Sequence, residues 1–308
     1  MIGSAVSARR WRQGGRARRG PGTPRFGLLL LAVTCIWACQ GGESVAAAGP
    51  CGTVATPPRT YEHVVWVVME NKAYSQIIGS NRAPYINTLS HQCGSASRFF
   101  AETHPSLPNY IAMTSGSTHG IADDNDPSAH RLAGASIFSQ LGSGWRSLQE
   151  SMPSDCLLRN SGEYAVRHNP AAYYTAIRSA CPSHDVPLGS RPNLSARFSF
   201  VTPNLCHDMH DCSVKDGDAW LSTWLPKLFA GSQYRAGRTA VFLTWDEDDR
   251  SADNHIATLV LAPSVRAGTA SSTKFDHYSM LRTTEQLLGL GFLGKAATAT
   301  GMRGAFNL

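Results

Sequence analysis

The chain lacks several things, and each absence narrows what it is. No run offers the roughly 20 apolar residues of a membrane-crossing helix; the apolar stretch from Phe26 to Ala38 is too short. No C-x-x-C spacing occurs, which argues against cysteine-ligated zinc. No internal repeat or long linker interrupts residues 51–308, which fit a single large α/β domain. A charge of one sign is also missing. Of 28 Lys+Arg and 22 Asp+Glu, seven arginines and Glu43 fall within the first 50 residues, leaving 21 of each sign. The pI near 9.0 therefore reports the N-terminal segment and not a nucleic-acid-binding surface, so no nucleic-acid partner is expected.

That segment, residues 1–50, reads as an export signal. Arg9, Arg10, Arg12, Arg16, Arg18, Arg19 and Arg25 precede the apolar run, and small residues follow it. A retained N-terminal anchor is the bland alternative. Cys39, between Ile-Trp-Ala and Gln-Gly-Gly, resembles a lipoprotein cleavage box; cleavage near Ala46–Gly49 competes and is preferred. A secreted or extracytoplasmic protein is expected, touching membrane only through a lipid substrate or an anchor at Cys39. With Cys35 and Cys39 set aside, six cysteines remain: Cys51, Cys93, Cys156, Cys181, Cys206 and Cys212. An even set in an exported protein predicts disulfides. Cys206–Cys212 is the pair that spacing favours, both being in one short polar loop; the oligomeric state is not legible.

His63–Met69, Thr239–Trp245, Ala257–Ala262 and Arg197–Thr202 read as buried strands. Ala219–Phe229 reads as a helix that Pro226 interrupts or kinks. Ser279–Leu288 reads as an amphipathic helix ended by Gly289. Strands alternating with helices predict an α/β fold, a largely parallel sheet covered on both faces. In such sheets ligands bind beyond the carboxyl ends of the strands. The stretch from Asp124 to Arg191 has little periodicity and reads as a loop-rich cap.

Two strands end in polar groups at that edge. His63–Met69 runs into Glu70-Asn71, and Thr239–Trp245 into Asp246-Glu-Asp-Asp249. A carboxylate and an amide carbonyl can share one hard cation, although a turn is the bland reading of Glu70-Asn71. Adjacent acids repel one another, which a divalent cation relieves; a surface turn accounts better for Asp248 and Asp249 than for Asp246 and Glu247. Ser106 opens an apparent helix in Glu102-Thr-His-Pro-Ser-Leu-Pro-Asn-Tyr110. It reads either as a cap or as a metal-activated nucleophile, at a helix start that favours phosphate. His207, Asp208, His210 and Asp211 crowd one loop, and His277 precedes the last helix.

Together these segments resemble the bacterial phosphoesterase family, which contains phospholipases C and acid phosphatases within the alkaline phosphatase superfamily. The ordered motifs are Glu70-Asn71, Thr-His-Pro-Ser-Leu-Pro-Asn-Tyr110, Pro203-Asn-x-x-x-Asp-Met-His-Asp211, Thr244-Trp-Asp-Glu247 and His277-Tyr-Ser-x-Leu-Arg-Thr-x-Glu285. The resemblance spans about residues 60–290. It implies a three-layer α/β/α sandwich with a mostly parallel, alkaline phosphatase-like sheet. Nucleotide pyrophosphatase relatives carry Thr-Phe-Pro-Asn, Thr-Gly and His-Gly-Ile around their nucleophile. Ser106-Leu-Pro-Asn109, Thr114-Ser-Gly116 and His119-Gly-Ile121 are similarly spaced, which places Ser106 and not Thr103 in that role. The resemblance further implies Glu70, Asn71, Ser106, Asp246 and Glu247 as ligands of one divalent cation of open identity. It implies Asn109 and Asn125 as substrate-binding amides and His168 as an active-site histidine. Asp208, His210 and His277 are left for phosphate contact, proton transfer or a second metal.

The expected activity is metal-dependent hydrolysis of a phosphate monoester, a phosphoinositide among the candidates. A phosphoserine intermediate and an acidic optimum go with it. A phospholipase C-type diesterase is the alternative enzyme, and an exported phosphate-ligand binding protein the non-catalytic one.

Overall fold

Continuous apolar runs set the centre of the sheet. Strands β1 (His63–Met69), β5 (Phe198–Thr202) and β6 (Thr239–Trp245) are buried almost throughout, as parallel strands covered on both faces must be. The structure is a computed structural model that describes residues 49–190 and 193–308. Residues 1–48, nearly all of the segment read as an export signal and Cys39 with it, lie outside the described residues. Six further strands complete the sheet: β2 (Gly94–Phe100), β3 (Trp145–Gln149), β4 (Asp185–Pro187), β7 (His255–Leu261), β8 (Thr269–Ser271) and β9 (Phe275–Asp276). Their order is β4-β3-β5-β1-β6-β7-β2-β8, with β9 also paired to β2. Only β7 runs against the rest, antiparallel to both β6 and β2.

Four longer helices form two pairs: α1 (Pro84–Gln92) with α3 (Val214–Phe229), and α2 (Ser106–Ser115) with α4 (His277–Leu288). They make the outer layers of a three-layer α/β/α sandwich. Asp218 of α3 accepts from the Tyr85 and Ile86 N–H groups at 3.1 and 2.9 Å, satisfying donors that the first turn of α1 leaves free. Trp66 of β1 reaches Thr284 of α4 at 2.9 Å.

The stretch from Asp124 to Arg191 is more than a cap: it supplies β3 and β4, an edge of the sheet. Its strands are short and carry Arg146, Ser147, Gln149 and Asp185, so the alternation that marks a strand is absent. Helix α3 starts earlier than expected and continues through Pro226. Asp216 accepts from the Ser213 N–H at 3.0 Å and sets that start. Pro226 is exposed, so the carbonyl one turn back that loses its donor lies on the solvent side.

Cys206–Cys212 is a disulfide, as are Cys51–Cys93 and Cys156–Cys181. Three disulfides suggest an oxidising, extracytoplasmic compartment. No helix among the described residues is long and apolar enough to cross a membrane.

Candidate active site

Strand register builds the site. β1 and β6 pair in parallel through Met69 and Trp245, so Glu70-Asn71 and Asp246-Glu247 leave the sheet side by side. Asp246 N–H continues the ladder to Met69 O at 3.0 Å. Asn71 turns into the left-handed region (φ 46°), which Asn tolerates, and its N–H donates to Asp246 Oδ1 at 3.1 Å. The Asn71 side-chain amide then lies 3.1 Å from Glu70 Oε2, 3.4 Å from Ser106 Oγ, 3.3 Å from Asp246 Oδ1 and 3.2 Å from Glu247 Oε1.

Ser106 is carried in by the loop after β2. Asn109, one turn into α2, accepts the Glu102 and Thr103 N–H groups at 3.0 and 3.1 Å. It also donates to Thr103 O at 2.8 Å, Pro105 O at 3.1 Å and Glu247 Oε2 at 3.3 Å. Ser106 is the first helical residue and caps nothing; its hydroxyl donates to Glu70 Oε2 at 3.0 Å. The Thr103 hydroxyl turns instead to His104 O at 3.2 Å.

These carboxylates are out of water. Burial, then Asp246 and Asp208, push Glu70 well above the usual carboxylate range. Burial raises Asp246 to about 6, and burial with Asp246 beside it raises Glu247 to about 9. Three charged acids here need a counter-charge. The donors are all oxygens, and turning the Asn71 amide presents its Oδ1 to the same point, so the set fits a hard divalent cation.

A second layer holds the first. Tyr110, one turn after Ser106, donates its hydroxyl to Glu70 Oε1. The Tyr110 ring stacks on His168 at 5.4 Å. His168 lies between two acids, Nε2 being 3.3 Å from Glu70 Oε1 and Nδ1 3.3 Å from Asp208 Oδ2. Burial, then Arg167, keep the imidazole neutral by pushing its pKa well below the ordinary value. Glu70, His168 and Asp208 are also close enough together to hold an ion. His104 braces the far side, with Nδ1 2.8 Å from Glu247 Oε2 and Nε2 3.3 Å from Asp248 Oδ1. Carboxylates held in this way are characteristic of metal-site supports.

The chain is similar to known proteins. Residues 80–291 match the Phosphoesterase family. The chain is 33% identical over 283 residues to a phosphatidylinositol-3-phosphatase of Mycobacterium tuberculosis, covering 89% of this chain and 90% of that one. It is 25% identical to an acid phosphatase of Aspergillus fumigatus, covering 88% of this chain and 67% of that one. The chain belongs to the phosphoesterase family. It is a hydrolase of phosphoric ester bonds. A solved structure of an alkaline phosphatase superfamily protein from Vibrio parahaemolyticus superposes with a TM-score of 0.55 at 13% identity, over 80% of this chain and 72% of that one. That likeness speaks for the fold.

Within this phosphoesterase the residues named from sequence take different places. Glu70, Asn71, Ser106, Asp246 and Glu247 converge on one point, and His168 and Asp208 adjoin it. Asn109 spends its amide on the 102–105 loop and Glu247. His277 is buried; its Nε2 donates to Trp245 O at 3.0 Å, and burial lowers it to about 4. His210 sits at the rim, with Nδ1 2.6 Å from Asp211 Oδ1 and Nε2 3.2 Å from Arg167 Nη2. Asn125 is exposed, and no side-chain contact joins it to Ser106; the neighbouring Asp124 instead accepts the Leu107 N–H at 2.9 Å. Asp248 organises the acidic loop by accepting the N–H groups of Arg250, Ala252 and Asn254 at 2.8, 2.6 and 3.2 Å.

Sequence reasoning passed over Tyr110, His104, Asp124 and Arg167. Tyr110 stands at i+4 from Ser106, on the same helix face, and that spacing is a usable signal.

Proposed function

We propose that this phosphoesterase is an exported phosphomonoesterase, residues 51–308 being its single catalytic domain, with Ser106 as the nucleophile. The observation that carries the reading is the Ser106 hydroxyl, donating to Glu70 at 3.0 Å inside a shell of buried oxygens at a helix start. A divalent cation held by Glu70, Asn71, Ser106, Asp246 and Glu247 would supply Lewis-acid stabilisation of the serine oxygen and of the phosphate charge.

The chain's own residues do the rest. Glu70 Oε2 is the oxygen nearest to take the Ser106 proton as the serine attacks phosphorus. Asn109 holds the loop that aims Ser106, and Tyr110 with His168 fixes the other oxygen of Glu70. Arg167, beside these acids, offers a guanidinium to phosphate oxygens. His210 reaches solvent whereas His277 does not, which favours His210 as the donor to the leaving alcohol. Water then releases phosphate from the serine. A histidine that must arrive protonated supports an acidic optimum. Phosphatidylinositol 3-phosphate, named for the Mycobacterium tuberculosis relative, is the first lipid substrate to examine.

Ser106→Ala should abolish release of phosphate from a chromogenic monoester. Acid-quenched wild-type enzyme should carry phosphate on the peptide containing Ser106. Wild-type turnover in the variant would overturn the assignment.

A further inference from the structure

A helix start leaves its first four backbone N–H positions without intrahelical partners. In α2 those positions are Pro105, Ser106, Leu107 and Pro108, and neither proline has an N–H to give. Ser106 and Leu107 are therefore the only two of the four that can face an anion. The Leu107 N–H is already engaged: Asp124 Oδ1 accepts it at 2.9 Å. The Leu107 nitrogen is four bonds from Ser106 Oγ, so the two lie within about 5 Å of each other whatever the serine rotamer. An oxygen of a phosphoryl group held at Oγ reaches the same N–H, at the end of the helix dipole that favours it. A carboxylate of the chain thus sits on a donor that phosphate needs.

That carboxylate is lightly held. Asp124 is exposed, the bond to Leu107 is its one side-chain hydrogen bond among the described residues, and it joins no ion pair among them. Other groups tether the loop that carries it. Asp123 Oδ1 accepts the Asn125 N–H at 3.0 Å and meets His130 Nε2 at 2.5 Å, and Tyr173 Oη donates to Asn125 O at 3.1 Å. Swinging the Asp124 side chain aside breaks one hydrogen bond and leaves these tethers intact. Its charge also points at the oxygen shell: after burial and Asp246, Asp124 is the next influence that raises Glu247. A phosphate arriving there meets both a rival for its donor and a like charge.

We propose that Asp124 is a displaceable stand-in for phosphate: its carboxylate holds the Leu107 N–H between turnovers, yields it to the phosphate of the substrate, and reclaims it as phosphate leaves. The inference rests on Ser106 as the nucleophile and adds a residue that sets how tightly phosphate is held. Rivalry for the donor weakens the binding of free phosphate and so limits inhibition by the product.

The test is the inhibition constant Ki of inorganic phosphate against a chromogenic monoester at fixed divalent-metal concentration. Asp124→Ala frees the donor and removes the opposing charge, so Ki should fall about tenfold. Asp124→Asn leaves a weaker acceptor in place, and its Ki should fall by less. Damage to the helix start would loosen phosphate instead, so the sign of the change separates rivalry from a merely structural contact. Asp126→Ala removes the same charge from the same loop, from a side chain that takes no donor of α2, and its Ki should stay within about twofold of wild type in physiological salt. A Ki that is unchanged or raised in both Asp124 variants, or that falls as far in Asp126→Ala, overturns the proposal. If wild type hydrolyses no monoester, the catalytic reading fails separately, and calorimetric titration with inorganic phosphate decides this one. Tighter binding by Asp124→Ala than by wild type then supports it; equal, weaker or undetectable binding refutes it.

Discussion

Tyr110→Phe removes one hydroxyl and nothing else. In the folded protein that hydroxyl donates to Glu70 Oε1, whose other neighbour is a neutral imidazole nitrogen at 3.3 Å. A hydrogen bond to a charged group is worth about 1.5–3 kcal/mol, and the buried acceptor stays behind without its donor. If all of this is felt where Glu70 meets Ser106, kcat/KM falls about 10- to 100-fold, and if half of it is, about 4- to 13-fold. The direction with pH follows as well. The Tyr110 bond opposes the burial that raises Glu70, so its loss raises Glu70 further and protonates it more readily. The divalent-metal concentration needed for half activation should therefore rise, and more at pH 5 than at pH 8. The assay is metal titration of monoester hydrolysis at both values. A loss of rate with no change in metal requirement, or the same change at both pH values, would refute the reasoning.

Two further predictions probe the scaffold. Glu285 is fully buried, accepts the Leu293 N–H at 2.9 Å through Oε1, and is raised by burial to about 8 from 4.5. A raised carboxyl gives stability that is complete below about 4.5 and lost as pH climbs through 8. Glu285→Gln keeps the acceptor and removes the ionisation, so in urea unfolding it should gain on wild type between pH 5 and 8.5, by at most about 5 kcal/mol; a gap that does not change with pH would count against the burial argument. Replacing both Cys206 and Cys212 by serine should cost about 2 kcal/mol for so short a loop. It should also lower kcat/KM at least tenfold, because Asp208 and His210 ride on that loop; full kcat/KM with reduced melting temperature would show that the bond does not position them.

The sheet's centre was legible because β1 and β6 are unbroken apolar runs that end in acids. Its edges were not. β3 owes its place to pairing with β5, and β4 to pairing with β3, which no local periodicity reports. The oxygen cluster could be proposed from sequence because its members end adjacent strands or begin a helix. Its supports could not, since their roles exist only across the fold: His104 with Glu247 is separated by 143 residues and Tyr110 with Glu70 by 40. A tyrosine in an apolar helix and a histidine before a proline look like packing until their partners are known. Asn125 is a different case: its side chain is exposed, and its neighbour Asp124 is the one that meets the helix start.

The single reversed strand explains how so many acids are tolerated beside one another. In a wholly parallel sheet the chain leaving β6 would depart on a long crossover. Here it turns back at once into β7, confining residues 246–254 to a tight loop. Asp248 gathers three backbone N–H groups within that loop and meets His104 Nε2 at 3.3 Å, so its charge is answered away from Glu70. Asp249 points outward to Gln76 at 2.7 Å. Only Asp246 and Glu247 remain turned towards Glu70, and the β1–β6 register fixes their separation from it. A slip of one residue in that register would turn alternate side chains to the other face and dissolve the cluster while leaving the composition of every strand unchanged. The site is thus specified by the pairing of two apolar strands as much as by the polar residues that follow them.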